Sequence, residues 1–489
     1  MDPPFSIGDL CNSPARATCV NRGISEDFGG LPKRQEERFI DLFWPTYLSI
    51  MPVLSEEEFR KHFELLWNRA ISPEHSRENS PLVDIVLAIS IQYGRNFIHF
   101  TTSIDDFDSI YVSVWYYQRC IDAICHQWEH PTITTVQCYI FAIMYLQNCP
   151  YLDLAYTTLG VAIRIAQTLG LHLEQPGDLS QYESELRKRI WYGLYIIDTR
   201  ISAQLGRPWT IETQDSTFSL PTDHSDFLPQ AHNGVSHLPD GISCLNFFVQ
   251  SIKLCIAMRS AHTDFYTQSR NIFAALQVDD IYSNGPALDA CATLLKQCLV
   301  PLGMFIQKVP KELQILRRDS GSLLYADVTQ MQIDSLAPKW LQVQQLSLEL
   351  AYHNSIITLC RPLIQLTPIT RNMAPQPNII AMTALNHAIA VANFVQKVLI
   401  ELDFLVGWYD ALHVQWEASL TILAYSLAYP LCDLTPGALR ALALSATSFD
   451  LWGANCPTPA KAAATLRKLA ARAKEMDSTD PSWRFLHED

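Results

Sequence analysis

The opening stretch "MDPPFSIGDLCNSPARATCV" lacks the marks of a secretory signal, because it has neither a basic region nor a continuous apolar run. No apolar run reaches the roughly twenty residues that a membrane span needs. The longest, "ASLTILAYSLAYPLC" at residues 418–432, carries hydroxyl groups and is typical of a buried helix. We therefore expect an intracellular chain with no transmembrane segment and no membrane partner.

Basic residues are scarce. Thirty-six lysines and arginines stand against fifty aspartates and glutamates, which gives a formal net charge of -14. A surface that binds nucleic acid through phosphate contacts needs the opposite sign. The composition therefore argues against DNA binding by the chain as a whole, and leaves either a local contact or a partner that reads DNA.

The thirteen cysteines are scattered and form no C-x-x-C pair. Only Cys11 and Cys19 precede Cys120, and two thiols cannot hold a zinc cluster. Most of the other cysteines fall within apolar helical patterns, where cysteine acts as a small core residue. We expect reduced thiols, no metal site and no cofactor.

Catalytic fingerprints are also missing, since there is no nucleophile elbow, no phosphate-binding glycine loop and no dinucleotide-binding motif. One motif does raise a metallohydrolase hypothesis. In "CHQWEHPT", His126, Glu129 and His130 follow the H-x-x-E-H spacing, which on a helix places two imidazoles on one face. Pro131 pushes His130 out of the helical conformation, so we interpret the motif as polar residues that close a helix.

Helical periodicity dominates what is present, and strand-like alternation is almost absent. The pattern begins in "LPKRQEERFIDLFWPTYLSIMPVL", where Phe39, Leu42 and Phe43 form an apolar stripe before Pro45 interrupts it. Similar patterns recur to the end of the chain. We predict an all-α fold of packed antiparallel helices, preceded by a loose tail over residues 1–32 that is rich in Pro, Gly, Ser and Asn.

Two consecutive helices carry the most specific pattern. The first, "LAYTTLGVAIRIAQTLGLHLE", places Arg164 close to an apolar stripe and ends at Gly170, which suits a left-handed cap. The second, "ESELRKRIWYGLYIIDTRISAQLGRPWTI", is apolar over more than half of its circumference and carries Trp191 and Asp198 on one face. A buried Asp198 needs a hydrogen-bonded or charged partner, and Arg164 and Arg207 are the candidates.

Two helices end in an arginine followed by a proline. After Gly206, which can take a positive φ, Pro208 blocks continuation and holds Arg207 extended. Arg361 and Pro362 form a second helix end of this kind, and we interpret Arg361 as a donor to terminal carbonyl groups of its helix. We favour a role for these residues in a buried network that holds helices together, and ligand contacts are the alternative. The candidates for the network or for a ligand pocket are Arg164, Trp191, Asp198, Arg207 and Arg361.

These segments together resemble the fungal-specific transcription factor regulatory domain, the middle homology region of zinc-cluster activators. The resemblance lies in a glycine, an A-I-R core and an L-G-L-H ending, then E-x-x-K-R-I-W, an aspartate seven residues after the tryptophan, and L-G-R-P. The segments "SPLVDIVLAISIQYG" and "ELAYHNSIITLCRPLI" agree with it. We assign residues 33–460 to this domain and residues 461–489 to a basic helix followed by an acidic, aromatic tail.

The resemblance implies a transcription regulator of a metabolic or secondary-metabolite pathway that works in the nucleus, with the cytoplasm as the alternative location. Family members usually carry a six-cysteine zinc cluster that reads DNA, and that pattern is missing here. We therefore expect indirect contact with DNA through a protein partner, either a complete activator or a second copy of the chain, unless an N-terminal exon has been lost. A small-molecule effector bound between helices is a further expected partner.

Two other functions stay open. The same all-α scaffold could serve an enzyme or a small-molecule-binding protein, with a pocket between helices as its site. The regulatory half alone could also act as a decoy that dimerises with a complete activator and silences it, which requires an exposed apolar face. The basic stretch "KAAATLRKLAARAK" is interpreted as a solvated helix face, with a contact to DNA phosphates or to an acidic partner as the alternative.

Overall fold

The computed structural model describes most of the chain. The described residues are 28–69, 77–95, 109–149, 151–174, 179–212, 217, 219–222, 244–279, 281–282, 284–317, 331–332, 334, 337–365, 375–402, 407–453 and 457–479. Most of the predicted N-terminal tail and the acidic, aromatic end of the chain lie outside the described residues.

The chain forms two compact units. Unit 1 comprises Met1–Ile252 and Ser335–Gln345, and unit 2 comprises Lys253–Asp334 and Leu346–Asp489. Residues 33–460, assigned above to one domain, therefore contribute to both units. The boundaries at Ile252 and Gln345 fall inside continuous helices, so the hydropathy pattern gives no sign of them.

Unit 1 is all-α over its described residues, as predicted. Helix α3 lies against α1, α4 and α5, and every residue from Val83 to Gly94 is buried. The packed chain begins earlier than residue 33, because Phe28 and Leu31 are buried. The helices are α1 (Lys33–Phe43), a π-helix (Trp44–Leu48), α2 (Glu56–Asn68), α3 (Pro81–Gly94), α4 (Ser109–Cys125), α5 (Ile133–Gln147), α6 (Leu152–Thr168), α7 (Gln181–Leu205) and the start of α8 (Cys244–Leu276).

Capping side chains fix the first turns of three helices in unit 1. Ser55 Oγ accepts a hydrogen bond from the backbone N–H of Glu58 at 3.3 Å and so caps the first turn of α2. Thr132 before α5 and Ser180 before α7 each form a capping box with the third helical residue. Each box satisfies backbone N–H groups that the helix itself leaves without acceptors.

Glycines end three helices of unit 1, for two different reasons. Gly170 and Gly206 have φ values of +65° and +63°, which confirms the left-handed turns expected after α6 and α7. Gly94 also ends its helix, but the constraint is one of packing. A Cβ at Gly94 would lie 2.9 Å from the Phe39 ring of α1. Only glycine allows α1 to pack so close to α3 at this point.

Pro45 does not interrupt the first helical segment, contrary to the prediction. The chain continues from α1 directly into the π-helix Trp44–Leu48. The wider turn accommodates a proline, which has no N–H to donate. Hydroxyl groups add bonds to nearby carbonyl groups, since Thr46 Oγ1 donates to Leu42 and Ser49 Oγ donates to Pro45 at 3.0 Å.

Unit 2 is also helical apart from two short strands. Leu316 lies opposite Gln332 in an antiparallel pair. Helices α12, α13 and α14 pack against one another, and α15 packs against α14. Its elements after α8 are α9 (Gly285–Cys298), α10 (Val300–Lys308), a 3-10 turn (Lys311–Leu313), β1 (Leu316–Arg317), β2 (Met331–Gln332), α11 (Lys339–Cys360), a 3-10 turn (Arg361–Leu363), α12 (Pro375–Glu401), α13 (Tyr409–Ala428), α14 (Thr435–Gly453) and α15 (Pro457–Thr479).

The basic C-terminal helix is a packed part of unit 2. Ala463 and Leu466 of α15 are buried. On its other side Arg467, Lys468 and Arg472 are exposed. The Arg467 guanidinium is hydrogen-bonded to Asp450 of α14 at 3.1 Å. This division agrees with the interpretation of a solvated helix face.

The described cysteines are free thiols and most lie in the core, as expected. Burial raises the pKa of the Cys360 thiol to about 12, and it raises the pKa of Cys120 well above the ordinary value. These thiols are therefore protonated and unreactive in the folded chain. The buried ones are Cys120 and Cys138 in unit 1 and Cys255, Cys291, Cys298 and Cys360 in unit 2.

Two described segments are long and apolar enough to cross a membrane, judged by length and composition alone. They are Gly285–Lys308 and Asn378–Glu401. Core helices pass the same test, and 39% of the apolar 18-residue window in the first segment and 56% of that in the second are buried within the protein. The absence of a membrane span stays a prediction.

Candidate functional site

Asp198 lies in the C-terminal part of α7 and is fully buried. Its carboxylate accepts hydrogen bonds from the backbone N–H groups of Thr210 at 2.9 Å and Ile211 at 3.0 Å. The Ser202 hydroxyl donates to it at 3.4 Å. Asp198 therefore holds the chain that leaves α7 against the last turns of that helix. Hydrogen bonds from N–H groups are well suited to a buried carboxylate.

The two arginines expected to pair with Asp198 have other partners. Arg207 bonds to Asp153 at 2.7 Å and lies over the Tyr156 ring at 5.1 Å. Arg164 is exposed and donates to Gln167 at 3.0 Å. The expected pairing of Asp198 with Arg164 or Arg207 is therefore corrected. Arg164 lies near the apolar stripe in sequence, but its long side chain reaches solvent. The backbone N–H groups after Pro208 supply the donors that Asp198 needs.

Trp191 and Arg361 also contact other side chains of the protein. Trp191 is 1% exposed in α7, with its ring 5.5 Å from that of His172. Arg361 follows α11 in unit 2 and pairs with Glu417 of α13, so its guanidinium makes an ion pair where bonds to terminal carbonyl groups were expected. Of the five candidates, Asp198 and Arg207 both lie near the exit from α7, where they bond to different partners.

A buried ionic network in unit 1 was missed by the sequence analysis. Arg77 Nε donates to Glu36 at 2.9 Å, and the same guanidinium bonds to Asp84 at 2.5 Å. Arg119 of α4 also binds Asp84, at 2.7 Å through Nε. Tyr116 donates to Glu36 at 2.7 Å. The network therefore ties α1, α3 and α4 to residue 77, in the segment that precedes α3.

Burial sets the protonation of this network. It raises the pKa of the Glu36 carboxyl, while the neighbouring Arg77 opposes that rise. Burial likewise raises the pKa of Tyr116 well above its usual value, so this phenol remains a hydrogen-bond donor. One signal in the sequence could have revealed the network: Asp84 is a lone charge in the otherwise apolar run "PLVDIVLAI". Such a charge requires buried partners.

A second buried polar cluster lies in unit 2. His353 Nδ1 of α11 is 2.8 Å from His387 Nδ1 of α12, and His353 Nε2 is 3.1 Å from Glu349. In the contact between the two rings one nitrogen must donate and the other accept. The cluster, which was not predicted from the sequence, joins α11 to α12 by polar contacts in a largely apolar interior.

A cavity of about 650 Å³ opens on unit 1 between α2, α3 and the start of α5. A cavity of this size falls in the range that holds small-molecule ligands. Its rim includes the exposed side chains of Glu58, His62, His130, Thr132 and Thr134. Its floor is made of the buried side chains of Leu54, Phe59, Ser80, Gln137 and Cys138.

Hydrogen bonds between elements fix the walls of this cavity. Gln137 Nε2 of α5 donates to the carbonyl of Val53 at 2.6 Å. His62 Nε2 of α2 lies 2.9 Å from the hydroxyl of Ser80, the residue before α3. Each bond joins two different elements that border the cavity.

The H-x-x-E-H motif contributes one residue to the cavity. Helix α4 ends at Cys125, so His126 and His130 are not on a common helical face. His126 Nδ1 contacts the Asp122 carbonyl at 2.6 Å, whereas His130 lies on the cavity rim. This confirms that His130 lies beyond the helix, although the helix already ends before His126 and not at the residue that precedes Pro131. Among the residues that the structure describes, no group of three or more His, Cys, Asp or Glu side chains could hold a metal ion.

The electrostatics of the rim keep His62 neutral near pH 7. Partial burial lowers its pKa from the usual 6.5, and the positive charges of Arg77 and Arg69 lower it further. A neutral imidazole offers one donor and one acceptor. The cavity therefore presents hydrogen-bonding groups and one carboxylate, that of Glu58.

Comparison with known proteins gives a consistent set of relatives. The profile described as "Fungal specific transcription factor domain" matches residues 40–299. The terreic acid cluster-specific transcription factor atF of Aspergillus terreus is 29% identical over 453 residues, which cover 90% of this chain and 68% of the relative. Transcription factor asqA of Emericella nidulans is 30% identical over 410 residues, covering 81% and 71% of the two chains.

A third relative matches less of its own length. The oosporein cluster regulator OpS3 of Beauveria bassiana is 24% identical over 422 residues, which cover 79% of this chain and 54% of that protein. The similarity to the relatives thus extends over most of the present chain. It reaches well beyond the 40–299 segment that the domain profile matches.

Proposed function

Because the chain belongs to the fungal-specific transcription factor domain family, we propose that it controls the transcription of one secondary-metabolite gene cluster. The observation that supports this most strongly is the match along 90% of the chain with a cluster-specific transcription factor of Aspergillus terreus. The regulator of oosporein synthesis is a further relative with a pathway-specific role. The family profile covers residues 40–299, more than half of the chain.

We further propose that the chain acts in the nucleus and reaches promoters through a protein partner. The net charge of -14 disfavours binding to DNA phosphates. The most basic helix, α15, already uses Arg467 to bind Asp450. A complete activator and a second copy of the chain are both suitable partners. Family and relatives are transcription factors, which points to regulation without catalysis.

Gene deletion tests the pathway role. Transcripts of the genes that flank the locus should fall when the gene is deleted and recover when it is returned. Return of a variant with a disrupted unit 1, Glu36→Ala, should fail to restore them. Unchanged flanking transcripts in the deletion strain would refute the proposal, and a rise would identify the chain as a decoy that silences a complete activator.

A DNA titration tests the partner. The purified chain is mixed with promoter DNA of the flanking genes at two salt concentrations, alone and with nuclear extract. We expect no complex with the chain alone and a slower-migrating complex when extract is added. Binding by the pure chain with a steep salt dependence would instead reveal a DNA-reading surface of its own.

A further inference from the structure

We propose that the exposed face of α12 is a contact surface for a second copy of this chain, and that the two helices meet there antiparallel about a two-fold axis. The contact itself rests on α12 alone, whereas its use in regulation rests on the proposed function. This α12 stripe comprises Ile379, Met382, Asn386, Ile389, Asn393, Gln396 and Ile400.

The α12 stripe lies on one side of the helix and is open to solvent. Its alternating steps of three and four residues keep all seven positions within about 100° of the helix circumference. Ile379, Met382 and Ile400 are 43%, 38% and 69% exposed, and the other four are half-buried. The opposite face, which includes Ala388 and Val395, is fully buried. Helix α12 thus has one core face and one uncovered face.

The uncovered face carries no charge over most of its length. From residue 378 to residue 396 the chain has no Asp, Glu, Lys or Arg. The solvent-facing side of a helix normally carries such residues. Only 56% of the apolar window in this helix is buried within the protein. Large apolar side chains that share an uncharged, exposed stripe indicate a surface that another protein covers.

The order of residues along the α12 stripe fits a second copy of the same helix. Asn386 follows Ile379 by seven residues, and Asn393 precedes Ile400 by seven. Ile389 lies near the middle of the stripe. A two-fold axis near Ile389 therefore brings Ile379 of one copy against Ile400 of the other, and Asn386 against Asn393. Such a contact is isologous, because each pair of residues meets twice.

The two asparagines fix the register of this contact. A side-chain amide both donates and accepts, so Asn386 of one copy can bond to Asn393 of the other. A shift of seven residues would put one asparagine of each copy against an isoleucine and leave its amide without a partner, which is costly in a buried contact. A single buried asparagine sets the register of paired helices in the same way.

Charges favour the antiparallel direction over the parallel one. Lys397 and Glu401 form an ion pair at 3.9 Å beside the C-terminal end of the α12 stripe. In a parallel contact each of them would face its own counterpart, and juxtaposed like charges oppose association. In the antiparallel contact they face residues 378–382 of the other copy, which are uncharged. The antiparallel pair therefore has no like-charge contact of this kind.

The size of the α12 stripe predicts a weak, reversible dimer. A standard interface uses roughly 20–30 residues on each side, so we expect a Kd on the order of 10 μM for this smaller surface. Each copy carries a net charge of -14, and the two copies repel at low salt. Dimerisation should therefore strengthen as the salt concentration rises from about 0.05 M to about 0.5 M.

Sedimentation velocity of the purified full chain tests the inference without DNA. The mass should rise from 55.4 kDa at low concentration to about twice that value at about 100 μM. Ile400→Glu and Ile379→Lys each introduce a charge at two symmetric places in the contact, so each should raise the Kd at least about 100-fold. Both positions are exposed, and the fold should be retained.

The double variant tests the direction of the contact. With Ile379→Lys and Ile400→Glu combined, the introduced lysine of one copy faces the introduced glutamate of the other, and the Kd should return to within about tenfold of the wild type. In a parallel contact the same charges would face their own kind. Val300→Glu is the control, because Val300 of α10 is an aliphatic side chain that is 54% exposed, and it should leave dimerisation unchanged.

Contrary results are equally clear. A chain that stays monomeric at about 100 μM, a dimer that survives Ile400→Glu, or one that Val300→Glu disrupts would show that the α12 stripe is not the contact. A double variant that stays monomeric would exclude the antiparallel pairing, and a dimer that weakens as salt rises would indicate a charged contact in its place. None of these measurements involves the flanking-gene transcripts, so failure of the contact and failure of the proposed function are distinguishable.

Discussion

The Tyr116 hydroxyl donates a 2.7 Å hydrogen bond to Glu36, eighty residues earlier in the chain. Both residues are inaccessible to solvent, with 0% and 1% of their surface exposed. The bond joins α4 to α1, and Arg77 extends the connection from Glu36 to Asp84 in α3. Removal of Glu36 leaves buried donors without their acceptor, while Arg77 keeps its bond to Asp84.

Glu36→Ala should destabilise unit 1 by about 3–5 kcal/mol, the typical cost of removing one partner from a buried ion pair. The variant leaves Tyr116, Trp67 and Arg77 without the acceptor they share. Amide hydrogen exchange in α3 measures the effect, because a chain with two units need not unfold in a single transition.

The control for this prediction is Glu57→Ala in α2. Glu57 pairs with Lys61 at the surface, where the two side chains are 71% and 70% exposed. Because water screens such a pair, exchange in α3 should be unchanged. Equal exchange rates in Glu36→Ala and Glu57→Ala would show that the network does not stabilise the unit.

Asp198→Ala should release the chain that follows α7. The backbone N–H groups of Thr210 and Ile211 lose their acceptor, at a cost of about 3 kcal/mol. Arg207→Ala removes a surface pair with Asp153 and should cost less than about 1 kcal/mol. The exchange rates of the Thr210 and Ile211 amides distinguish the two. If Arg207→Ala speeds them as much as Asp198→Ala does, the arginine belongs to the network after all.

Two alanine substitutions should shift thermal unfolding in opposite directions. Gly206→Ala places a Cβ in the left-handed conformation and should destabilise unit 1 by about 1 kcal/mol. Gly160→Ala lies within α6, where a Cβ meets nothing within 4 Å, and should stabilise by about 0.5–1 kcal/mol. Calorimetric scans of both variants measure the shifts, and shifts of the same sign would contradict the assigned helix end.

His62 should make unit 1 less stable in mild acid. Its pKa in the folded chain lies below 6.5, so the unfolded chain binds the proton more readily. The stability that the neutral form provides is present above pH 6.5 and is lost as the pH falls through the folded-state pKa. The melting temperature should fall between about pH 7 and pH 5 less steeply in His62→Gln than in the wild type. Identical slopes would contradict the lowered pKa.

The local features of this fold could be predicted from the sequence. Helix starts at Ser55 and helix ends at Gly170 and Gly206 depend on a few neighbouring residues, so they can be recognised in one stretch of chain. The burial of α7 follows from its own periodicity. The resemblance to the family rests on the same two helices.

The partners of buried polar groups could not be predicted. Arg77 reaches Glu36 across 41 residues and lies outside any helix that periodicity reveals. The packing role of Gly94 depends on the distant ring of Phe39. The cavity likewise depends on contacts between distant parts of the sequence, since its lining comes from separate stretches around residues 54–62, 79–82 and 127–138. Such contacts exist only after the helices have packed.

The buried thiols of each unit can be used to measure how often that unit opens. A thiol-specific alkylating reagent reacts with Cys125 without any opening of the fold, because this residue is exposed. Cys120 and Cys360 are protected by burial and by a raised pKa, so each reacts only when its surroundings open. Alkylation is permanent, and the mass added to each peptide therefore accumulates with every opening. One labelled sample, analysed by mass spectrometry, reports the opening of both units side by side.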